Sequence, residues 1–294
     1  MPQQKLCLQT VDDVLAYWFD GVTTREERRE KMSSHDFFNK MAPKWFMGRD
    51  ADFIRVQTAS AELVHRAGRD ELHDGEWATP RGYLALILLT DQFPRSIWRG
   101  TAEAYQYDER AQALSAHVVD HGWDKTHFYY AERIFIYLPF EHSERVEHQR
   151  RAVELMKNAA SDTSWRLWFH NRFGVNVRMA KQHLRIIERF GRFPYRNDVL
   201  GRESTPDELR WLASPDLPIF ARSQLSEKTR AALAEYKGHA AGDGSAAGRQ
   251  TNHRSGSSSW TPIKRTAPWL AAATAVGLSA TAAYRLYRIR QSQA

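Results

Sequence analysis

An apolar run that ends in a proline-containing polar motif constrains the fold of this chain most. Residues 84–89 read LALILL, and residues 90–95 continue as TDQFPR. A helix without a polar face is buried on every side, and this run is too short to cross a membrane. Thr79-Pro80 is typical of a helix start, and Pro94 predicts that the helix ends before it. The buried helix should therefore present three polar side chains at its end: Asp91, Gln92 and Arg95.

The rest of the first 236 residues also shows helical spacing of apolar side chains. Val11, Val14, Leu15 and Trp18 form one stripe, and residues 128–138 form a strongly apolar helix that Pro139 is expected to end. No segment alternates apolar and polar residues as a strand would. The sequence predicts one all-α domain over residues 8–236.

The net charge of +7 belongs to the C-terminal tail. From residue 238 onward there are seven basic residues and one acidic residue, which leaves 35 basic and 34 acidic residues in the first 237. Because the domain is nearly neutral, nucleic-acid binding by the domain loses its main support. We therefore expect no nucleic-acid partner.

The tail itself divides into two parts. Residues 238–265 are rich in Gly, Ser, Ala and Arg, which predicts a disordered basic linker. Residues 267–287 contain an apolar stretch flanked by basic residues, which predicts a C-terminal transmembrane helix, although a disordered or amphipathic alanine-rich tail is the alternative. An anchor there would leave the domain in the cytosol, on a membrane such as a mitochondrial, plastid or peroxisomal outer membrane.

Three polar motifs follow apolar segments and contain the candidate site residues. They read LTDQFPR at 89–95, YLPFEHSE at 137–144 and RFGRFPYRN at 189–197. One interpretation is a mutual network that satisfies helix ends, and the other is a cleft whose arginines bind an anion. The candidate ligand-binding residues are Asp91, Arg95, His183, Arg192, Arg196 and Asn197. The candidate acid–base residues are Glu141 and His142.

The sequence predicts neither a metal site nor a cofactor. Glu141, His142, His148 and His183 are available, but the spacings His-Glu-x-x-His and Glu-x-x-His are absent. The single cysteine, Cys7, excludes an intrachain disulfide and has no adjacent base.

These motifs, with the segments Leu200-Gly201-Arg202 and Ser204-Thr205 that follow them, resemble domain-of-unknown-function family 924 over about residues 10–235. The Tyr17-Trp18-Phe19 opening fits the same family. The chain has Thr90 where leucine is common in that family and Tyr195 where histidine is common. The resemblance implies a fold of antiparallel helix pairs similar to tetratricopeptide repeats, and it implies no established activity.

Two functions fit these observations. One is a membrane-tethered, helical-repeat-like protein that binds a protein or peptide partner. The other is a small-molecule enzyme or sensor that holds an anionic phosphate or carboxylate ligand through clustered arginines. The sequence leaves open whether the protein is an enzyme.

Overall fold

The computed structural model describes residues 7–47, 50–162 and 173–242, and every regular element in these ranges is helical. The prediction of an all-α fold is confirmed. The α-helices are α1 Val11–Trp18, α2 Arg25–Lys31, α3 His35–Met47, α4 Ala51–Ala59, α5 Ala61–Gly68, α6 Pro80–Ile87, α7 Phe93–Ile97, α8 Asp108–Asp120, α9 Trp123–Thr126, α10 Tyr130–His142, α11 Val146–Asp162, α12 Phe173–Phe190, α13 Pro206–Leu212, α14 Ile219–Ser223 and α15 Glu227–Gly242. Short 3-10 turns lie at Gly75–Ala78, Ala102–Tyr105 and Pro194–Arg196.

Threonine caps begin several of these helices, as the sequence indicates. The Thr10 and Thr205 hydroxyls each accept a hydrogen bond from the main-chain N–H of the third helical residue. The carboxylate of that residue accepts one from the N–H of the threonine, so both are complete capping boxes. Thr79 accepts from Gly82 N–H, and Pro80 follows at the first helical position. Local side-chain chemistry thus determines where these helices begin.

The helix that contains the apolar run does not end before Pro94, so that prediction is wrong. A π-helical turn, Leu88–Gln92, joins α6 directly to α7, and the Phe93 N–H donates to the Leu88 carbonyl five residues earlier. The wider turn accommodates the proline ring that would clash with a regular α-helical turn. Leu88, Leu89, Thr90, Asp91 and Gln92 are all buried. The polar residues are therefore held inside a continuous buried segment.

Pro139 likewise lies inside α10 rather than at its end. Every residue of α10 from Tyr130 to Glu141 is buried. An interior proline costs about 3 kcal/mol, and burial of the many apolar side chains of α10 outweighs that cost. The helix thereby continues far enough to carry Glu141 and His142.

The core is organised around α10, which contacts α6, α8, α11 and the π-helical turn. The larger apolar cluster includes Trp18, Phe93, Phe135 and Tyr137, and a smaller one forms around Phe193, Tyr195 and Leu212. Motif residues from both clusters meet where α10 ends. This meeting point positions the polar side chains considered below.

Much of the predicted tail lies outside the described residues. Helix α15 extends to Gly242, so the first residues of the predicted linker are helical, because the alanines there favour a helix. The remaining linker and the predicted anchor over residues 267–287 fall outside the described ranges. None of the helices described has the length and apolar character needed to cross a membrane.

Candidate functional site

Five ionisable side chains from separate parts of the chain meet at the end of α10. We call them the Arg–His cluster: Asp91 from the π-helical turn, Arg95 from α7, Asp108 from α8, His142 from α10 and Arg196 from the turn Pro194–Arg196. Four of the five were candidate site residues in the sequence. The structure brings them together across more than 100 residues of sequence.

Asp91 is the most buried member, with 1% of its side chain exposed. Its Oδ1 lies 2.8 Å from His142 Nδ1 and 3.1 Å from Arg95 Nη1, and Gln92 donates to its Oδ2. Burial alone would raise the pKa of Asp91, but the charges of Arg95 and His142 lower it to about 2. Asp91 is therefore an ionised acceptor near neutral pH.

The charge of Asp91 determines the tautomer of His142. An ionised carboxylate can only accept, so His142 Nδ1 carries the hydrogen. No described residue bonds to Nε2, whose lone pair is thus available as a base. The pKa of His142 lies below the usual 6.5, mainly because burial disfavours the imidazolium, with further lowering by Arg95 and His183.

Asp108 joins the two arginines. Its Oδ2 accepts from Arg95 Nη2 at 2.9 Å and from Arg196 Nη1 at 3.3 Å. Arg196 also donates to the main-chain carbonyl of His142 at 3.0 Å. Burial alone would lower the pKa of Arg95, but the negative charges of Asp108 and Asp91 raise it. Arg95 therefore stays protonated beside the two ionised carboxylates.

Aromatic rings enclose the Arg196 guanidinium. Its central carbon lies 4.5 Å from the ring centre of Tyr105 and 4.5 Å from that of Phe193. Arg95 also lies over the Tyr105 ring, at 5.6 Å. The Tyr105 hydroxyl donates to Gln224 at 3.0 Å, which fixes the ring over both guanidinium groups.

Three polar groups around the cluster have donors that the described residues leave unused. Arg196 is 4% exposed, yet its Nε makes no hydrogen bond within the described part of the chain. The Tyr195 hydroxyl is also buried, and it lies within hydrogen-bonding reach of the Arg196 guanidinium group, so its own hydrogen is left without an acceptor among the described residues. Arg99 is an exposed residue that interacts electrostatically with Tyr105 and forms no ion pair with any described residue. Partial desolvation lowers the pKa of Arg99.

Glu141 and His183 lie beside the Arg–His cluster. His183 Nδ1 is 2.9 Å from Glu141 Oε1, and the His183 ring centre is 6.3 Å from that of His142. The sequence candidates Glu141 and His183 are thus neighbours of His142, though they pair with each other rather than with an arginine.

Arg192 and Asn197 lie in a different group, which we call the Glu208 cluster. Arg192 donates to the two Glu208 oxygens at 2.7 and 2.8 Å, and Asn197 donates to the same carboxylate at 3.2 Å. These hydrogen bonds, with one from Thr205 N–H, lower the pKa of Glu208 to about 2. This geometry favours a structural role for Arg192 and Asn197, because the N–H groups that were predicted to bind a ligand donate to Glu208 instead.

Sequence reasoning missed Asp108, Tyr105 and Arg99. Asp108 begins α8, where an aspartate normally needs no explanation beyond the helix dipole. Tyr105 lies in a short 3-10 turn, and nothing in the neighbouring sequence indicates that it contacts the two arginines. Arg99 lies four residues after Arg95, which is about one helical turn. That spacing is the one signal in the sequence that could have indicated Arg99.

The described residues contain no group of three or more His, Cys, Asp or Glu side chains able to hold a metal ion. The chemistry available in the Arg–His cluster is anion binding by guanidinium groups and proton transfer by His142. The two arginines of the cluster match the carboxylates of Asp91 and Asp108 in number, and Arg99, outside the cluster, interacts electrostatically with Tyr105. The cluster is therefore neutral while His142 is unprotonated, and Arg99 adds a positive charge in its neighbourhood.

Fold and site define an all-α protein with a buried arginine–histidine–carboxylate cluster. The profile of a family described as bacterial protein of unknown function (DUF924) matches residues 14–216, and the chain belongs to this family. A solved structure titled as a protein of unknown function, ATU0120 from Agrobacterium tumefaciens, is similar to the chain at 36% identity and a TM-score of 0.51. That match covers 60% of this chain and 93% of the other. No curated protein matches the chain.

Proposed function

We propose that the domain binds a small anionic molecule at the Arg–His cluster, through a phosphate, sulfate or carboxylate group. The observation that carries the proposal is the buried Arg196 side chain, whose Nε bonds to no carboxylate or carbonyl oxygen among the described residues and has the Tyr195 hydroxyl beside its guanidinium group. Buried charged donors normally have a hydrogen-bond acceptor, because leaving one without an acceptor costs about 1–3 kcal/mol of stability. An anionic oxygen would supply the acceptor.

Charge and position support the same proposal. Arg95 and Arg196 both lie over the Tyr105 ring, and Arg99 interacts electrostatically with the same residue. Asp91 and Asp108 neutralise two of these charges. Arg99 then provides the charge that an anion can pair with, and His142 provides an acid–base group beside it.

A binding experiment with Arg99→Ala tests this function. Sulfate, phosphate and succinate would be titrated into the full chain by calorimetry, beside a thermal-shift series. We expect at least one of these anions to bind, and Arg99→Ala to weaken it by about tenfold, as for the loss of one charge-assisted contact. Because Arg99 is exposed and forms no ion pair with a described residue, this substitution should leave the fold intact.

Arg178→Ala is the matched control. Arg178 is an exposed arginine on α12, outside the Arg–His cluster, and the substitution removes the same charge. We expect it to change anion affinity by less than about twofold, because exposed charges at a distance are screened by salt. The proposal fails if none of the three anions binds, or if both arginine substitutions weaken binding equally.

The predicted tether remains a separate proposal. The apolar segment at residues 267–287 and its basic flanks support a protein that is attached to a membrane with its domain in the cytosol. A helical-repeat-like surface that binds a peptide or protein is also a proposal. It is supported by Ile219, which leaves 82% of its surface exposed at the start of α14.

A further inference from the structure

Two histidines lie side by side at the C-terminal end of α8, at a distance from the Arg–His cluster. His117 is in the last turn of α8, and His121 caps the helix, with its N–H donating to the His117 carbonyl at 3.1 Å. Side chains four residues apart on a helix are neighbours. The two imidazole rings stack with their centres 4.0 Å apart and an angle of 28° between the planes. Asp108, the cluster residue on the same helix, is roughly 14 Å from His117 along the helix axis at the usual rise per residue.

A hydrogen bond fixes the tautomer of His121. Its Nδ1 lies 2.8 Å from the main-chain carbonyl oxygen of His117, which can only accept, so Nδ1 carries the hydrogen. The exposed ring thus keeps a lone pair on Nε2, to which no described residue bonds. Histidines that bind metal ions almost always donate their other ring N–H to a carbonyl, a carboxylate or water. His121 therefore has the arrangement of a metal ligand.

Aromatic rings hold His117 in place. The ring stacks on Tyr83 of α6 with ring centres 4.5 Å apart, and the Trp123 ring centre lies 5.1 Å from that of His117 and 5.4 Å from that of His121. Within the described part of the chain, no hydrogen bond uses either ring nitrogen of His117. Burial and the neighbouring His121 lower the pKa of His117, so its imidazole is neutral near pH 7. Metal binding requires a neutral imidazole.

The electrostatic surroundings of this histidine pair favour a cation. The C-terminal end of a helix carries a partial negative charge, and both histidines lie there. The Asp120 carboxylate also acts electrostatically on His117, although Arg151 pairs with that carboxylate. Because these two charges offset each other, the end of the helix supplies the remaining attraction for a positive ion.

We propose that His117 and His121 bind a divalent transition-metal ion at the surface of the domain. Two imidazoles four residues apart are the ligand pair that a helix presents in His-Glu-x-x-His metal sites. Imidazole suits Zn²⁺, Cu²⁺ and Ni²⁺, whereas Mg²⁺ and Ca²⁺ prefer oxygen ligands. Since His121 is exposed, its ring can tilt until both lone pairs point to one ion.

The histidine pair supplies two ligands only. No third His, Cys, Asp or Glu side chain of the described ranges completes the site. Zinc is normally four-coordinate, so water or a donor atom from another molecule would occupy the remaining positions. This inference does not rest on the proposed anion site.

A Zn²⁺ titration of the full chain tests the proposal. Zn²⁺ has no redox chemistry, so it does not oxidise the exposed thiol of Cys7. The chain would be labelled with ¹⁵N at histidine, and the ring nitrogens followed by NMR as Zn²⁺ is added. We expect saturable shifts at both His117 and His121, and no shift when Mg²⁺ replaces Zn²⁺. Saturable shifts at only one of the two rings, or at neither, would overturn the proposal.

Substitutions measure whether the two histidines act together. In His121→Gln, the Zn²⁺ concentration that half-saturates the His117 shift should rise by at least about tenfold, because even partners outside the coordination shell are worth about 10–100-fold in affinity. His117→Gln should have the same effect on His121. Circular dichroism would check that each variant folds. Should His117→Gln fail to fold, the exposed position of His121 leaves His121→Gln to decide.

His73→Gln is the matched control. His73 is exposed, and its Nδ1 also faces a main-chain carbonyl, that of Asp70 at 2.8 Å, but in the described ranges no second imidazole stacks on it. Its loss should leave the Zn²⁺ titration of His117 and His121 unchanged. The proposal is wrong if His73→Gln weakens their Zn²⁺ binding as much as His121→Gln does, or if folded His121→Gln leaves the His117 titration as in the parent.

Discussion

Asp91 is the residue on which the other members of the Arg–His cluster depend. It accepts hydrogen bonds from His142 and Gln92 and pairs with Arg95, and it is almost completely buried. A buried carboxylate is tolerated only when its partners satisfy it, and each partner is in turn oriented by it. The tautomer of His142 and the position of Arg95 therefore have one common cause.

Asp91→Asn should destabilise the fold strongly. The substitution removes the charge that Arg95 and His142 face, and breaking a buried pair typically costs about 3–5 kcal/mol. Urea denaturation of the parent and variant measures the change in the free energy of unfolding. Asp52→Asn is the control, because the Asp52 side chain is 81% exposed and its loss should cost less than about 0.5 kcal/mol. Equal effects of the two substitutions would contradict the role assigned to Asp91.

The same residue predicts a pH dependence of stability. The pKa of Asp91 is about 2 in the folded chain against an ordinary value of 3.8, so the unfolded chain binds the proton more tightly. The stabilisation from ionised Asp91 is complete above pH 3.8 and is lost as the pH falls towards 2. The difference in unfolding free energy between the parent and Asp91→Asn should narrow over that range. A difference that is constant with pH would contradict the lowered pKa.

At the scale of elements, the close packing of α6 is the feature most open to test. Gly82 lies in the first turn of α6, where an added Cβ would come within 2.4 Å of the Glu76 and Trp77 main-chain carbonyl oxygens. Main-chain atoms cannot move aside as a flexible side chain can. The glycine therefore permits α6 to pack against the 3-10 turn Gly75–Ala78, and α6 leads directly into the π-helical turn that carries Asp91.

Gly82→Ala should destabilise the protein, although glycine to alanine in a helix usually stabilises by about 1 kcal/mol. The overlap with two carbonyl groups reverses the sign, and we expect a loss of about 1–3 kcal/mol, as for other overpacked positions. Thermal unfolding of the variant measures it. Gly174→Ala, at an exposed position in α12, is the control and should be neutral or stabilising. A gain in stability for Gly82→Ala would contradict the packing described.

The elements also show which features could be predicted from sequence. Thr10 and Thr205 were predictable because a cap and its partner lie three residues apart and act locally. The continuation of the helices through Pro94 and Pro139 could not be predicted, because burial of the surrounding helix outweighs the local preference of proline to end it. His142 and Arg196 could be nominated from their motifs, whereas Asp108 could not, because its role arises only from residues that are distant in sequence.

At the scale of the whole molecule, the sequence of the C-terminal tail predicts that the full chain associates with membranes. Segment 267–287 has basic residues on both flanks, which would add about 1 kcal/mol each through anionic lipid headgroups. The full chain should therefore co-sediment with anionic lipid vesicles and resist carbonate extraction. A chain that ends at residue 237 should remain in the supernatant. The prediction is wrong if the full chain also stays there.

The most direct measurement of whether the Arg–His cluster binds an anion is an NMR titration that locates sulfate on the full chain. The arginine Nε–H signals and the histidine ring nitrogens would be assigned and followed as sulfate is added. Saturable shifts of Arg95, Arg99, Arg196 and His142, with Arg178 and Arg185 unchanged, are the predicted result. Shifts confined to the exposed arginines of α12, or no saturable shift at any arginine, would contradict an anion site at this cluster.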